Sequence, residues 1–561
     1  MVFAVGAAFA WWAWVGRPVA LVDAPGGRFP CVSYAPYKDG QTPFDLDWVV
    51  SPAQIEDDLR QLAKVTDCVR TYAVRQGLAE VVPVAAGLGM KVLLGVWINA
   101  ENEKNRGEVE TAIELARRYP ETVAAVVVGN EVLLRGEQPP ERLAAFIREV
   151  RAAVPPSVEV TYADVWEFWL KHPEIADAVD FITIHTLPYW EDDPVGIDKA
   201  VPHVVAIVDR VKQAFPGRRL LVGEAGWPSA GRMREGAQPS RVNQARFVRE
   251  LIVAAEQDAI GLNVIEAFDQ PWKRELEGTV GGHWGLFDED RREKFPLVGP
   301  VREDGDWLWH FAAAAVLGVL LVLPAARIRR RATGGGGTFA GWLGLAVAGQ
   351  AAATLLVAAG LAAFDAVRTP YDAFVWGGRG VLAAAVAVLV PVTLAGGAPV
   401  APVAARRLIE AVRRGARPTG SPLALGLGIA RLAVAFGAAV TTLCFLFDAR
   451  YRDFPVALTL VPAVAFLVLT LARRRRNDSE APGDLAEERL LAVVLAAGGI
   501  AIGLSEAPAN VEAWGLMLAN LLLAAALWLE PRRPVAAAAG DQARKRAMAP
   551  ARRPAPANSG A

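Results

Sequence analysis

The chain of 561 residues is poor in sulfur and in imidazole, with three cysteines, five methionines and five histidines. Three cysteines are too few for a disulfide scaffold or a structural zinc site. The histidines are scattered without metal-ligand spacing, and no metal or cofactor is expected. Cys31 and Cys68 could pair only on neighbouring strands; two buried free thiols are the commoner state and the expectation. No Gly-x-Gly-x-x-Gly follows the first apolar run, which argues against a dinucleotide fold. The formal net charge is only −1, and no basic polar face exists to hold nucleic acid. Disorder is excluded for most of the chain by its 53% hydrophobic content, above the ~45–50% of soluble proteins.

That near-zero charge is the sum of two opposite halves. Residues 1–300 carry 32 Lys+Arg against 43 Asp+Glu, whereas residues 301–561 carry 27 against 17. From Trp307 onward seven apolar stretches occur, about 307–326, 339–364, 373–396, 423–447, 454–472, 489–505 and 513–529. Each is long enough for a hydrocarbon core of ~30 Å. An eighth, short stretch at residues 2–15 has no basic leader and no small-residue cleavage site, so an uncleaved anchor over 1–20 is expected. Arginines cluster after alternate spans: Arg327 to Arg331, Arg406 to Arg417, Arg473 to Arg476, and Arg532 with Arg533, Arg544, Lys545 and Arg546. The intervening loops hold only Arg368, then Arg450 and Arg452, then none. The positive-inside rule places the clusters in the cytoplasm and residues 20–300 outside it. Arg379 and Arg431 fall within apolar stretches; snorkelling is the expectation and a functional site the alternative. Residues 531–561, rich in Ala, Pro and Arg, read as a disordered cytoplasmic tail.

The acidic half alternates strands and helices. Apolar runs at 30–35, 68–74, 91–98, 123–131, 158–166, 180–188, 219–227 and 262–269 are interleaved with amphipathic segments such as Pro52–Ala63 and Arg241–Gln257. Continuous runs such as Val-Ala-Ala-Val-Val-Val at 123–128 suit strands covered on both faces. Eight repeats over 26–300 predict an α/β fold, a (β/α)8 TIM barrel followed by an all-α transmembrane helical domain over 307–530, with an open doubly wound sheet as the alternative.

A barrel of this kind does its chemistry at the C-terminal strand ends. Those ends hold Arg70 and Tyr72, Trp97, Asn130 and Glu131, Trp166, Tyr189 and Trp190, Glu224 and Trp227, and Trp272 and Lys273. Paired carboxylates across one mouth are what glycoside hydrolysis requires, one protonated and one ionised. Five of the eight tryptophans between residues 26 and 300 fall at these ends, and their flat faces suit pyranose rings.

Gly129-Asn130-Glu131 and Gly223-Glu224-Ala225-Gly226-Trp227-Pro228-Ser229 resemble the two signature motifs of glycoside hydrolase family 17. Arg70-x-Tyr72, Glu266 to Lys273 and His283-Trp284-Gly285-Leu286-Phe287 resemble further barrel motifs of that family. The resemblance covers residues 28–300 and implies a retaining β-1,3-glucanase or glucanosyltransferase. It makes Glu131 the general acid/base, Glu224 the nucleophile and Asn130 the holder of the sugar 2-hydroxyl. Tyr189 and Arg70 would orient Glu224, and Lys273 would join the charged network beside it. Three departures stand out. Gln270 replaces a Glu, so a third carboxylate is expected to be missing. His185-Thr186-Leu187-Pro188-Tyr189-Trp190 replaces Asn-x-Tyr-Pro-Tyr-Phe, and Ala225 replaces Thr.

Bacterial relatives resembling this arrangement act on periplasmic β-glucans. The expectation is therefore a multi-pass membrane enzyme remodelling β-glucan outside the cytoplasmic membrane, with a glucan synthase as partner. Plain endo-hydrolysis and a non-catalytic glucan-binding module on a sensor or transporter are the alternatives. A processive synthase is disfavoured by the lack of Gln-x-x-Arg-Trp and of a large cytoplasmic domain.

Overall fold

A computed structural model describes residues 1–334, 336–397, 400–476, 484–506 and 508–531. The expected tail and its basic cluster (Arg532, Arg533, Arg544, Lys545, Arg546) lie outside the described residues. After a first helix, α1 (Val2–Val15), eight parallel strands close into a barrel in chain order. They are β1 (Val32–Ser33), β2 (Cys68–Arg70), β3 (Lys91–Val96), β4 (Val123–Asn130), β5 (Glu159–Val165), β6 (Ile182–His185), β7 (Leu220–Ala225) and β8 (Gly261–Val264). Val32 of β1 pairs with Val69 on one side and with Val264 on the other, which closes the ring. Each strand is followed by a helix: α2 (Pro52–Leu62), α3 (Val81–Leu88), α4 (Asn102–Arg118), α5 (Pro140–Ala153), α6 (Trp166–Lys171), α7 (Ile197–Ala214), α8 (Arg241–Gln257) and the single turn α9 (Arg274–Glu277). The barrel is the expected one, not the open sheet.

Strand β4 shows why these runs are apolar throughout. Val126 and Val128 pack outward among Leu143 and Ile147 of α5, while Ala125 and Val127 fill the interior with Leu93, Ala163 and Phe181. Burying each such valine stabilises the fold by roughly 1.5–3 kcal/mol. Helix starts are set locally. Ser51 caps α2 by accepting from the Gln54 amide, with Pro52 in the first turn, and Ser240 caps α8 through Asn243. The expectation of free thiols fails here. Because Val32 pairs with Val69, the preceding residues Cys31 and Cys68 lie side by side, with Cα atoms 4.5 Å apart, and form a disulfide.

The second half holds α10 (Trp307–Ala332), α11 (Phe339–Ala366), α12 (Pro370–Ala395), the short α13 (Ala405–Arg413), α14 (Pro422–Phe447), α15 (Val456–Arg475), α16 (Ala486–Ser505) and α17 (Val511–Trp528). All but α13 are long and apolar enough to cross a membrane. Helices α10 and α15 run past their apolar stretches into Arg329–Arg331 and Arg473–Arg475, since arginine is a good helix former and suits the negative helix end. Helix α1 has only 14 residues, ~21 Å at 1.5 Å per residue, which is short of a hydrocarbon core. It packs on α10 through Phe9 against Trp307 and Phe311, and Trp12 against His310. Pro18–Val19 then pairs with Val301–Arg302, joining the two ends of the barrel segment.

Arg431 does not snorkel. It is 3% exposed and pairs with Glu488 at 2.9 Å and Glu530 at 3.4 Å, while Arg473 also pairs with Glu530. Arg379 donates to Thr441 Oγ1 at 2.5 Å from within α12.

The barrel sits mouth-first on the helical region. Loops after β6, β7 and β8 meet the three helix connections that are poor in positive charge. Arg232 bonds the Ala449 carbonyl and Glu506, and the Met233 amide donates to Glu512 at 2.9 Å. Arg274 donates to the Asp365 carbonyl at 2.9 Å, Arg368 pairs with Glu275 at 3.1 Å, and Thr279 donates to Asp453 at 2.6 Å.

Candidate active site

Four strand ends build the centre of the mouth. Glu224 lies within β7, and Glu131 is the residue after β4. The pairing of β4 with β5 shifts register between Val127 and Asn130, and that of β7 with β8 between Val222 and Ala225. Such irregularities bend a strand and re-aim its side chains. Gly129 turns at φ +90°, and Glu131 itself is held at φ +54°, a conformation that a non-glycine residue adopts only under constraint from its surroundings. The constraint here includes its amide, which donates to the Ala163 carbonyl at 2.8 Å.

His185 stands between the two carboxylates. Its ladder partner is Glu224, so its ring reaches the same point of the mouth. Nδ1 is 3.1 Å from Glu131 Oε1 and Nε2 is 3.6 Å from Glu224 Oε1. One oxygen of each carboxylate and one ring nitrogen all lie within 4.8 Å of one another. Such a trio could ligate a metal by distance alone, but the Arg70 guanidinium already supplies positive charge there. Its Nη1 donates to Glu224 Oε1 at 3.0 Å and to the Gly223 carbonyl at 2.7 Å, and lies 3.3 Å from His185 Nε2. Its Nη2 donates to Asn130 Oδ1 at 2.5 Å. The Tyr72 hydroxyl donates to Glu224 Oε1 at 2.9 Å and lies 2.9 Å from Ser33 Oγ, which Asn263 holds from behind at 2.8 Å.

Charge is distributed unequally over this cluster. Burial pushes Glu131 up, but hydrogen bonding to His185 and the charges of His185, Arg135 and Arg70 outweigh it and hold the carboxyl below its ordinary range. Burial, and then the charge of Glu224, raise Tyr72 well above a normal phenol, so it stays a donor. Glu266 is pushed up to about 7 by burial, against the opposing charge of Lys273, whose ammonium lies 2.7 and 2.9 Å from its two oxygens.

The expected site residues divide into two groups. Glu131, Glu224, Arg70, Tyr72 and Asn130 come together, with Lys273 beside them through Glu266. Trp97 is half-buried under the Arg135 guanidinium at 4.3 Å; Trp190 and Trp272 are also half-buried at the rim. Three assignments are corrected. Tyr189 is not the tyrosine hydrogen-bonded to Glu224: it is fully buried and donates to the Arg232 carbonyl at 2.7 Å, and the hydroxyl on Glu224 is that of Tyr72. Trp227 is wholly buried against Phe247, its indole donating to the Gln238 carbonyl, and offers no face to a sugar. Trp166 is buried with Arg210 of α7 over its ring at 4.8 Å, as a packing residue of the helical layer.

The third carboxylate is present after all. Glu266 reaches the cluster from the loop after β8, and its charge is felt by Tyr72. Gln270 instead ties loops together, donating to the Ala35 carbonyl and accepting from the Trp272 indole. His185 and Ser33 escaped sequence reasoning as functional residues. The signal for His185 was its place at the end of β6.

Residues 31–285 match the family model described as BtgE/BtgC glycoside hydrolase domain. Over that segment the barrel is similar to glycoside hydrolase domains. A glucan 1,3-beta-glucosidase of Arthroderma benhamiae is 29% identical over 271 residues, 45% of this chain and 87% of the relative. One of Saccharomyces cerevisiae is 25% identical over 268 residues, 44% and 85% of the two chains. The solved family 17 β-1,3-glucanosyltransferase of Rhizomucor miehei is 28% identical, covers 49% of this chain and 98% of its own, and superposes with a TM-score of 0.43. These matches all lie in the barrel and cover half of the chain or less.

Proposed function

We propose that the chain is a membrane-anchored retaining enzyme that cleaves and re-forms β-1,3-glucan outside the cytoplasmic membrane. The observation that carries this reading is the approach of Glu131 and Glu224 to within 4.8 Å. Retaining glycosidases hold their carboxyl groups ~5–5.5 Å apart, whereas inverting ones need ~6.5–9.5 Å to admit a water between them. The names of the fungal relatives supply the linkage.

Glu224, paired with Arg70 and aimed by Tyr72, attacks the anomeric carbon. The glycosidic C–O bond breaks as Glu131 delivers its proton to the departing oxygen. When His185 Nδ1 carries a proton it donates to the ionised Glu131; the acid step runs from the fraction of Glu131 that is protonated, whose proton passes to the glycosidic oxygen. In the second half Glu131 takes a proton from the acceptor hydroxyl, whose oxygen displaces Glu224 from the anomeric carbon. Arg70 binds the Asn130 carbonyl oxygen, which leaves the amide N–H groups for the sugar 2-hydroxyl. A mouth seated against the helical region restricts water, which favours a sugar hydroxyl as acceptor.

The barrel's contact with the arginine-poor connections, together with the Cys31–Cys68 disulfide, supports an oxidising compartment outside the cytoplasm. Full-length protein in detergent, given laminari-oligosaccharides, is expected to yield products longer than the substrate. Only shorter products would make it a hydrolase, and absence of turnover with retained binding would make the barrel a binding module. Reporter fusions after Thr333 and Arg368 are expected to signal cytoplasmic and external positions respectively; the reverse pattern would overturn the topology.

A further inference from the structure

We infer that the helical region completes the glucan cleft, its connection between α14 and α15 providing a sugar-binding subsite through Tyr451 and Arg450. This rests on the glucan-active reading above and adds to it a substrate contact outside the barrel.

Docking of the barrel is carried by buried polar pairs. Arg232 with Glu506, and Thr279 with Asp453, are shielded from solvent and satisfy one another. Tyr451 and Arg450 on the same connection are different, because both remain exposed, Tyr451 at 43%. They stand against Trp190 at the rim. The Tyr451 ring meets Trp190 edge-on at 6.0 Å and 74°, and the Arg450 guanidinium lies 5.8 Å from both ring centroids. One face of Trp190 is occupied by Trp284, stacked at 6.4 Å and 21°. The Arg234 guanidinium also lies over Trp190, at 5.2 Å, so the ring left most open at this corner is Tyr451, from the helical region. An exposed ring beside a five-donor guanidinium has the chemistry to hold a glucosyl unit, apolar face on the ring and hydroxyls on the donors.

The corner is fixed relative to the carboxylates by one short strap. Lys273 at its start pairs with Glu266. Glu277, further along, is pushed up by burial against the opposing charge of Lys273, with the charges of Glu131 and Glu224 adding to the rise. Gly278 follows at φ +71°, and a Cβ there would collide with the Tyr451 carbonyl oxygen. Thr279 then bonds Asp453. The strap thus runs from the reacting groups to the connection that bears Tyr451, with room for no side chain at the point of contact. The corner lies beyond the carboxylates along that strap, so it serves a glucosyl unit distal to the scissile bond.

The test uses the full-length protein in nanodiscs and laminari-oligosaccharides from the disaccharide to the hexaose. Tyr451→Ala is expected to lower kcat/KM by about tenfold for the hexaose and by less than twofold for the disaccharide, with Tyr451→Trp restoring the long-chain value. Arg450→Ala is expected to show the same length dependence more weakly. Arg368→Ala, which loosens a different exposed contact with the barrel, is expected to leave the length dependence as in the wild type. Equal losses at every length, or the same length dependence in Arg368→Ala, would overturn the inference, because the connection would then act only by holding the barrel. Unaltered kinetics in Tyr451→Ala would overturn it as well. Wild-type protein that turns over no oligosaccharide would instead refute the glucan reading, and this subsite with it.

Discussion

Both halves of the chain bury arginines against carboxylates, and the comparison shows what separates a reacting charge from a structural one. In the barrel, Arg70 lies against Glu224, but the same carboxylate also receives Tyr72 and faces His185 and a second carboxylate across a mouth. In the helical region, Arg431 and Arg473 close on Glu488 and Glu530 at the helix ends that adjoin the arginine-rich loops. Among the described residues these four side chains are all buried, none more than 4% exposed. A buried ion pair therefore does not by itself mark chemistry; an ionised group presented to a cavity beside a second titratable group does.

Breaking each pair should separate the two roles. Glu224→Gln is expected to lower kcat on laminari-oligosaccharides by on the order of 10⁴-fold or more while the thermal unfolding profile stays close to wild type. Arg431→Ala should do the opposite. Leaving Glu488 buried without its arginine costs about 3–5 kcal/mol, while Glu530 keeps Arg473, and the loss is read as a lowered melting temperature in detergent, with turnover per folded molecule retained. The disulfide adds a second structural contrast. Opening the 37-residue separation between Cys31 and Cys68 by Cys31→Ser with Cys68→Ser should destabilise the barrel by about 4 kcal/mol in denaturant titration.

The smallest expected effect is on pH dependence. His185 contributes to holding Glu131 below its ordinary range, so the protonated acid is lost at a lower pH than for a free carboxyl. His185→Asn removes the nearby charge and leaves at most a neutral amide donor, and the basic limb of kcat/KM should move to higher pH. The sign for stability follows from the same shift. A depressed folded value contributes stability above the unfolded carboxylate range, lost as pH falls through the folded value; His185→Asn should weaken that acid dependence.

How much of this was readable from residues alone depended on the range of the forces involved. The seven long helices were legible because an apolar run of spanning length is a local property. The eight strands were legible for the same reason, and Glu131 and Glu224 followed because strand ends in a barrel converge. The disulfide was not, because Cys31 and Cys68 become neighbours only through the pairing of β1 with β2. Trp166, Trp227 and Tyr189 looked like rim residues, but a large ring buries in a core as readily as it lines a cleft, and only the fold decides which. The role of Tyr72 depended on the reach of its ring from β2 across the mouth to Glu224. The seating of the barrel on the helical region was invisible, since it rests on pairs such as Arg232 with Glu506, separated by more than half the barrel's length in sequence.

The most direct measurement is to trap the intermediate. Full-length protein incubated with a 2-deoxy-2-fluoro-β-glucosyl donor should acquire one glycosyl group, and peptide mass spectrometry should place it on Glu224. A label on any other residue, or a product released with inverted anomeric configuration by proton NMR, would contradict the account.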